Sequence, residues 1–85
     1  MANYKVLIKP SAVKDLESLP KVDCKRIAGK IRELSKDPRP YGSQKLVGDD
    51  KYRLRQGDYR IVYQIDDGEV VVLVIGIGHR RDVYR

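Results

Sequence analysis

Three arginines in the stretch "YRLRQGDYRIVYQI" (residues 52–65), namely Arg53, Arg55 and Arg60, carry the most pointed chemistry in this sequence. A guanidinium is planar, permanently charged and able to meet two phosphate oxygens at once. The stretch reads as two short strands joined by a tight turn, and strand side chains alternate between faces. A two-residue turn at Gln56-Gly57 would set Arg55 opposite Asp58 and Arg53 opposite Arg60, with all four on one face. Like charges directly opposed on a sheet destabilise it, by up to roughly 1 kcal/mol. Asp58 offsets one charge but not the set. Two accounts of the cluster stand side by side. It is either a solvated face where screening makes repulsion cheap, or an anion site. The basic tail of His79, Arg80, Arg81 and Arg85 favours the second, because the next strand runs back beside Arg60 and brings the tail there.

Other residue types add less. His79 is the only histidine, and its ordinary pKa lies near neutrality, which suits proton transfer. Tyr84 is either a stacking platform for a base or a residue that packs the tail down. Cys24 is the single cysteine; it reads as a small buried side chain on a helix, and it excludes a disulfide scaffold. One His and one Cys do not make a tetrahedral metal site. There is no P-loop, GxGxxG or nucleophile triad, so no cofactor or metal is expected. "GIG" at 76–78 is a strand-end glycine pair, not a phosphate loop.

The elements that position these residues follow from periodicity. The chain has 85 residues, 41% of them apolar, and a net charge of +6: one domain over 1–85, with a charge suited to a polyanion or an acidic protein. No leader or membrane span is read, which points to the cytoplasm. "YKVLIK" (4–9) reads as a strand. Pro10 opens a helix with Leu16 and Leu19 on its apolar stripe, and Pro20 ends it. In the next helix, up to Pro38, Cys24, Ile27, Ala28, Ile31 and Leu34 recur at helical spacing. Residues 38–50 read as a loop. "KYRLR", "DYRIVYQID" and "EVVVLVIGI" then read as three strands, with two-residue turns at Gln56-Gly57 and Asp67-Gly68. The class is α+β: a strand, a two-helix hairpin, then an antiparallel meander. Leu54, Tyr59, Ile61, Tyr63, Ile65, Val70, Val72 and Val74 form the helix-covered face. Val62, Leu73 and Ile75 join the arginines on the other, an apolar patch that the tail or a partner would cover.

The pattern "YRLR…DYRIVYQI…VVVLVIGIGHRRDVY" resembles the RelE branch of the RelE/ParE toxin superfamily, and the element order (βααβββ, with a further strand in some members) agrees over nearly the whole chain. The resemblance implies a cytoplasmic toxin of a type II toxin–antitoxin system. Such a toxin is a ribosome-dependent endoribonuclease that cuts mRNA in the ribosomal A site by 2′-hydroxyl attack, and it is held by a RelB-like antitoxin. It also implies site residues. Arg53 and Arg55 match the family's two basic strand residues, Arg60 matches the arginine of "YR", Arg80 the basic residue near the C-terminus, with His79 or Arg81 as neighbours, and Tyr84 the terminal tyrosine. Lys45, Lys51, Arg81 and Arg85 complete the RNA-binding set. Two arginines stand here where the best-known pattern has lysines, and arginine does not give up its proton, so a base role does not transfer to them. Two other classes compete: a ParE-like inhibitor of DNA gyrase with no nuclease activity, and a non-catalytic, degenerate module. The basic strand pair and Tyr84 argue for the nuclease.

Overall fold

The computed structural model describes residues 3–46 and 50–79. Its elements in chain order are β1 (Lys5–Ile8), α1 (Pro10–Glu17), α2 (Lys21–Glu33), β2 (Gln44–Lys45), β3 (Lys51–Gln56), β4 (Tyr59–Asp66) and β5 (Val71–His79). The five strands form one sheet in the order β1-β5-β4-β3-β2. All neighbours are antiparallel except β1 and β5, which run parallel. The two helices carry the chain from β1 at one edge of the sheet to β2 at the other, and the meander from β2 to β5 brings β5 back beside β1. The α+β class expected from periodicity is the class observed.

α1 begins at Pro10 as expected but ends at Glu17, so Leu19 and Pro20 lie beyond it. Pro10 occupies the first turn of α1, where its missing N–H costs nothing, and Pro20 is the N-cap of α2. Asp23 in the first turn of α2 and Lys30 and Arg32 in its last complement the helix dipole. α2 stops at Glu33, short of Pro38, and the Ser35 carbonyl accepts the Tyr4 N–H at 2.7 Å, tying the helix end to the start of β1.

Both helices cover the same face of the sheet. Ala12 of α1 and Ile27, Ile31 and Leu34 at the end of α2 pack with Leu54, Ile61, Tyr63, Ile65, Val72, Val74 and Ile77 in one buried cluster. Each fully buried aliphatic side chain of this kind contributes about 1.5–3 kcal/mol. The Tyr63 hydroxyl, fully buried, donates to the Pro38 carbonyl at 2.8 Å, and burial pushes its pKa up to about 12.

The turns differ from expectation, and the differences matter. The first hairpin turns at Gly57-Asp58, with Gly57 at φ +61°. Glycine at the first central position suits a type II′ turn, whereas Gln56-Gly57 would need a glutamine at positive φ. The pairing therefore slides by two residues: Arg55 lies opposite Arg60, and Arg53 opposite Val62. A slip of two leaves every side chain on its expected face. The second turn spans residues 67–70, with Val70 at φ +58°, so Val70 belongs to the turn and not to the core strand. A bulge then breaks the β4–β5 register between Val62 and Tyr63, where Ile75 is the extra residue. Beyond it the alternation of β5 is inverted: Ile77 enters the core, and Gly76 and Gly78 face the other way.

Candidate functional site

The face of the sheet away from the helices carries the arginines. Arg53 and Arg55, two apart on β3, share that face with Arg60 on β4, and Lys51 extends the row by one step. Arg55 and Arg60 are direct cross-strand partners, so the like-charge juxtaposition is real, with Arg55 in place of Arg53. Arg55 is exposed and Arg53 half-buried, while Arg60 is only 4% exposed. A buried guanidinium is expensive unless it is held by partners. Arg60 is therefore a charge packed into the sheet, not a flexible surface one.

The bulge in β5 gives this face its shape. Gly76 pairs with Val62 and Gly78 with Arg60, so β5 presents no side chain beside the arginines. A Cβ at Gly76 would meet nothing within 4 Å. On the other flank the two-residue strand β2 sets Gln44 opposite Arg53, and the Gln44 Oε1 accepts a hydrogen bond from the Arg53 guanidinium. Gly42, Gln44, Arg53 and Arg55 line a shallow pocket of about 260 Å³. Gln44 carries no recognisable pattern in the sequence, since β2 is too short for periodicity to reveal.

The remaining expected site residues divide. His79 does not join the arginines. The inverted alternation of β5 puts it opposite Tyr59, with the two rings edge to face at 5.4 Å. The Tyr59 hydroxyl in turn donates to Asp23 of α2 at 3.3 Å, which marks this as the helix side. Burial, with Asp23 nearby, raises the Tyr59 pKa. Lys45 pairs with Tyr52, so by alternation it also leaves the arginine face. Ile75, expected beside Val62 and Leu73, is the bulged residue. Arg80, Arg81, Tyr84 and Arg85 lie outside the described residues.

A second polar cluster occupies the opposite end of β3. Arg39 donates to Asp67 at 2.8 and 3.3 Å and to the Tyr52 hydroxyl at 3.1 Å, and its guanidinium also lies 5.2 Å from the centre of the Tyr52 ring. Tyr4 donates to the same carboxylate at 2.6 Å. These donors, Arg39 first, hold the Asp67 pKa below the usual carboxylate range, and Asp67 in turn raises those of Tyr4 and Arg39. Tyr52 stacks on Tyr63 with 5.9 Å between centroids. A pocket of about 580 Å³ lies beside Arg39, Tyr52 and Asp67, and none of Arg53, Arg55 and Arg60 lines it.

Comparisons with known proteins agree with this architecture. The family described as "ParE toxin of type II toxin-antitoxin system, parDE" matches residues 6–84. Toxin RelG of Mycobacterium tuberculosis is 31% identical, over 96% of this chain and 97% of its own length. Toxin RelE of the same organism is 38% identical, over 96% and 87% respectively. Among solved structures, the archaeal RelE–RelB complex from Pyrococcus horikoshii gives a TM-score of 0.81 at 31% identity, covering 95% of this chain and 99% of that one. The isolated Escherichia coli RelE toxin gives 0.78 at 32% identity, over 89% and 83%. The chain belongs to the ParE toxin family of type II toxin–antitoxin systems, in its RelE-like branch.

Proposed function

We propose that this toxin is an endoribonuclease that cleaves mRNA in the ribosomal A site, and that a RelB-like antitoxin holds it inactive. The observation that carries the reading is the opposition of Arg55 and Arg60 on the helix-free face, beside a strand that offers only glycine there. A sheet keeps such a cluster at little cost when a phosphate lies between the charges. The antitoxin rests on family membership and on relatives solved as RelE–RelB complexes.

In the reaction, the ribose 2′ oxygen attacks the adjacent phosphorus and the bond from phosphorus to O5′ breaks. The 2′ proton is taken up, O5′ receives a proton, and the products are a 2′,3′-cyclic phosphate and a 5′-hydroxyl. Arg53, Arg55 and Arg60 stabilise the extra negative charge on the phosphorane-like transition state. Losing one such donor typically costs about 10²–10³ in rate. Arginine holds its proton, so these residues do not act as the base. By the family resemblance Arg80 adds a further cation, and Tyr84 orients the nucleotide and serves proton transfer. His79, set against Tyr59, is left out of this constellation. Lys51, Arg81 and Arg85 add attraction for the RNA strand, and Lys45 adds only long-range charge.

The test is a translation reaction with purified protein and a defined message, with cuts mapped by primer extension with and without ribosomes. Cuts within the A-site codon that require ribosomes support the reading. An intact message together with loss of gyrase supercoiling would replace it with a gyrase inhibitor.

A further inference from the structure

We propose that Gln44 is a positioning residue for Arg53, fixing its guanidinium so that the Gly42–Gln44–Arg53–Arg55 pocket presents two ordered cations to one RNA phosphate. The inference rests on the reading of the arginine face as an RNA-cleaving site. Among the described residues, two neighbours act on Arg53 in opposite ways. Arg55 on the same strand repels it, and Gln44, directly across from it on β2, accepts its hydrogen bond. Arginine only donates, so the amide oxygen must be the atom that meets it. The brace is neutral. A carboxylate at this place would pair with Arg53 and cancel the charge the site needs, whereas an amide orients the guanidinium and leaves its charge available to a phosphate.

The backbone supports the same arrangement. β2 is only two residues long, yet one of those two is Gln44, and Gly42 at φ +93° turns the chain so that the strand can meet β3. A Cβ at Gly42 would meet nothing within 4 Å, so the space in front of the brace is open. Gln44 itself is exposed, and no core residue depends on it.

The consequence is kinetic. A guanidinium free to swing spends less time aligned with the developing charge, and misplacement of about 1 Å can cost 10²-fold. Gln44→Met keeps the side-chain stem and removes the acceptor. Single-turnover cleavage on programmed ribosomes is measured for wild type, Gln44→Met, Arg53→Ala and the double variant, alongside side-chain nitrogen relaxation of Arg53 and Arg55. The expected result is a loss of about tenfold in kcat for Gln44→Met, with KM within about twofold and the melting temperature unchanged. The Arg53 Nε–H becomes more mobile while Arg55 does not change. In the Arg53→Ala background the Gln44 substitution costs nothing more. An equal loss in both backgrounds, or an Arg53 as ordered in Gln44→Met as in wild type, overturns the proposal. An inert wild type overturns the nuclease reading, whereas the mobility of Arg53 in Gln44→Met against wild type decides the positioning claim without any cleavage, so the two failures are told apart.

Discussion

Arg39 and Arg55 stand at opposite ends of β3 in contrasting company. Arg39 meets a carboxylate, a tyrosine hydroxyl and an aromatic face, so its donors and its charge are answered within the fold. Arg55 faces another arginine across the ladder, with a glycine strand beyond it. The first arrangement ties the loop after α2 to the β4–β5 turn and to β1. The second sets like charges against each other, a repulsion that a phosphate would relieve in the proposed function. The same residue type is therefore a fastener at one end and, in the proposed function, a binding group at the other, and its neighbours make the difference.

Perturbing the core tests the frame that both ends share and should give the largest effect. Ile61→Asp puts an unpaired carboxylate at a position with no exposure, between Leu54 and Ile77, and should abolish cooperative unfolding. A wild-type-like melt followed by circular dichroism would show that the sheet faces are reversed. At the arginine end, Arg60→Lys keeps the charge and loses the planar fork. Cleavage should fall about 10²-fold with the fold retained. Primer extension over a time course reads the rate, and an undiminished rate would remove Arg60 from the site.

The fastener end responds in stability. Tyr63→Phe deletes the hydroxyl that donates to Pro38, leaving a buried carbonyl unmatched, and should cost about 1–3 kcal/mol in urea unfolding at neutral pH. Its pH dependence has a defined sign. The folded-state pKa of Tyr63 is raised from about 10 to about 12, so its contribution is complete below pH 10 and is lost as pH rises toward 12. The Phe variant should lose that share of the alkaline decline, and a profile unchanged by the substitution would contradict the assignment. The smallest effect is expected for Asp67→Asn, whose ion pair with Arg39 is largely solvated. The folded Asp67 pKa is lowered, so its small contribution is present above the ordinary carboxylate range and fades as pH falls through the folded value. The melting difference between Asp67→Asn and wild type should therefore shrink on acidification, and a constant difference would show that the carboxyl acts in another way.

How much of this was legible in the sequence differs by face. The core face was readable because alternation and helical spacing repeat over enough residues to be unambiguous, and because moving the first turn by one position shifts the pairing by two and preserves sidedness. The arginine cluster was readable for the same reason. His79 was not, since the bulge at Ile75 inverts β5 and no alternation rule anticipates an inserted residue. Gln44 was hidden in a stretch rich in turn residues, where two residues of strand leave no period. Arg39, between Pro38 and Pro40, read as loop, and only the three-dimensional approach of Asp67 from the turn between β4 and β5 discloses its role. Pairings between residues distant in sequence are set by closure of the fold, and local pattern does not encode them.

The most direct test of the contrast between the two ends is the single-turnover rate of A-site cleavage for Arg55→Ala against Arg39→Ala. The account predicts a loss of about 10²–10³-fold for Arg55→Ala with a melting temperature no lower than wild type, and a near-wild-type rate for Arg39→Ala with a lowered one. Equal rates for the two variants, or a larger kinetic loss at Arg39, would contradict it.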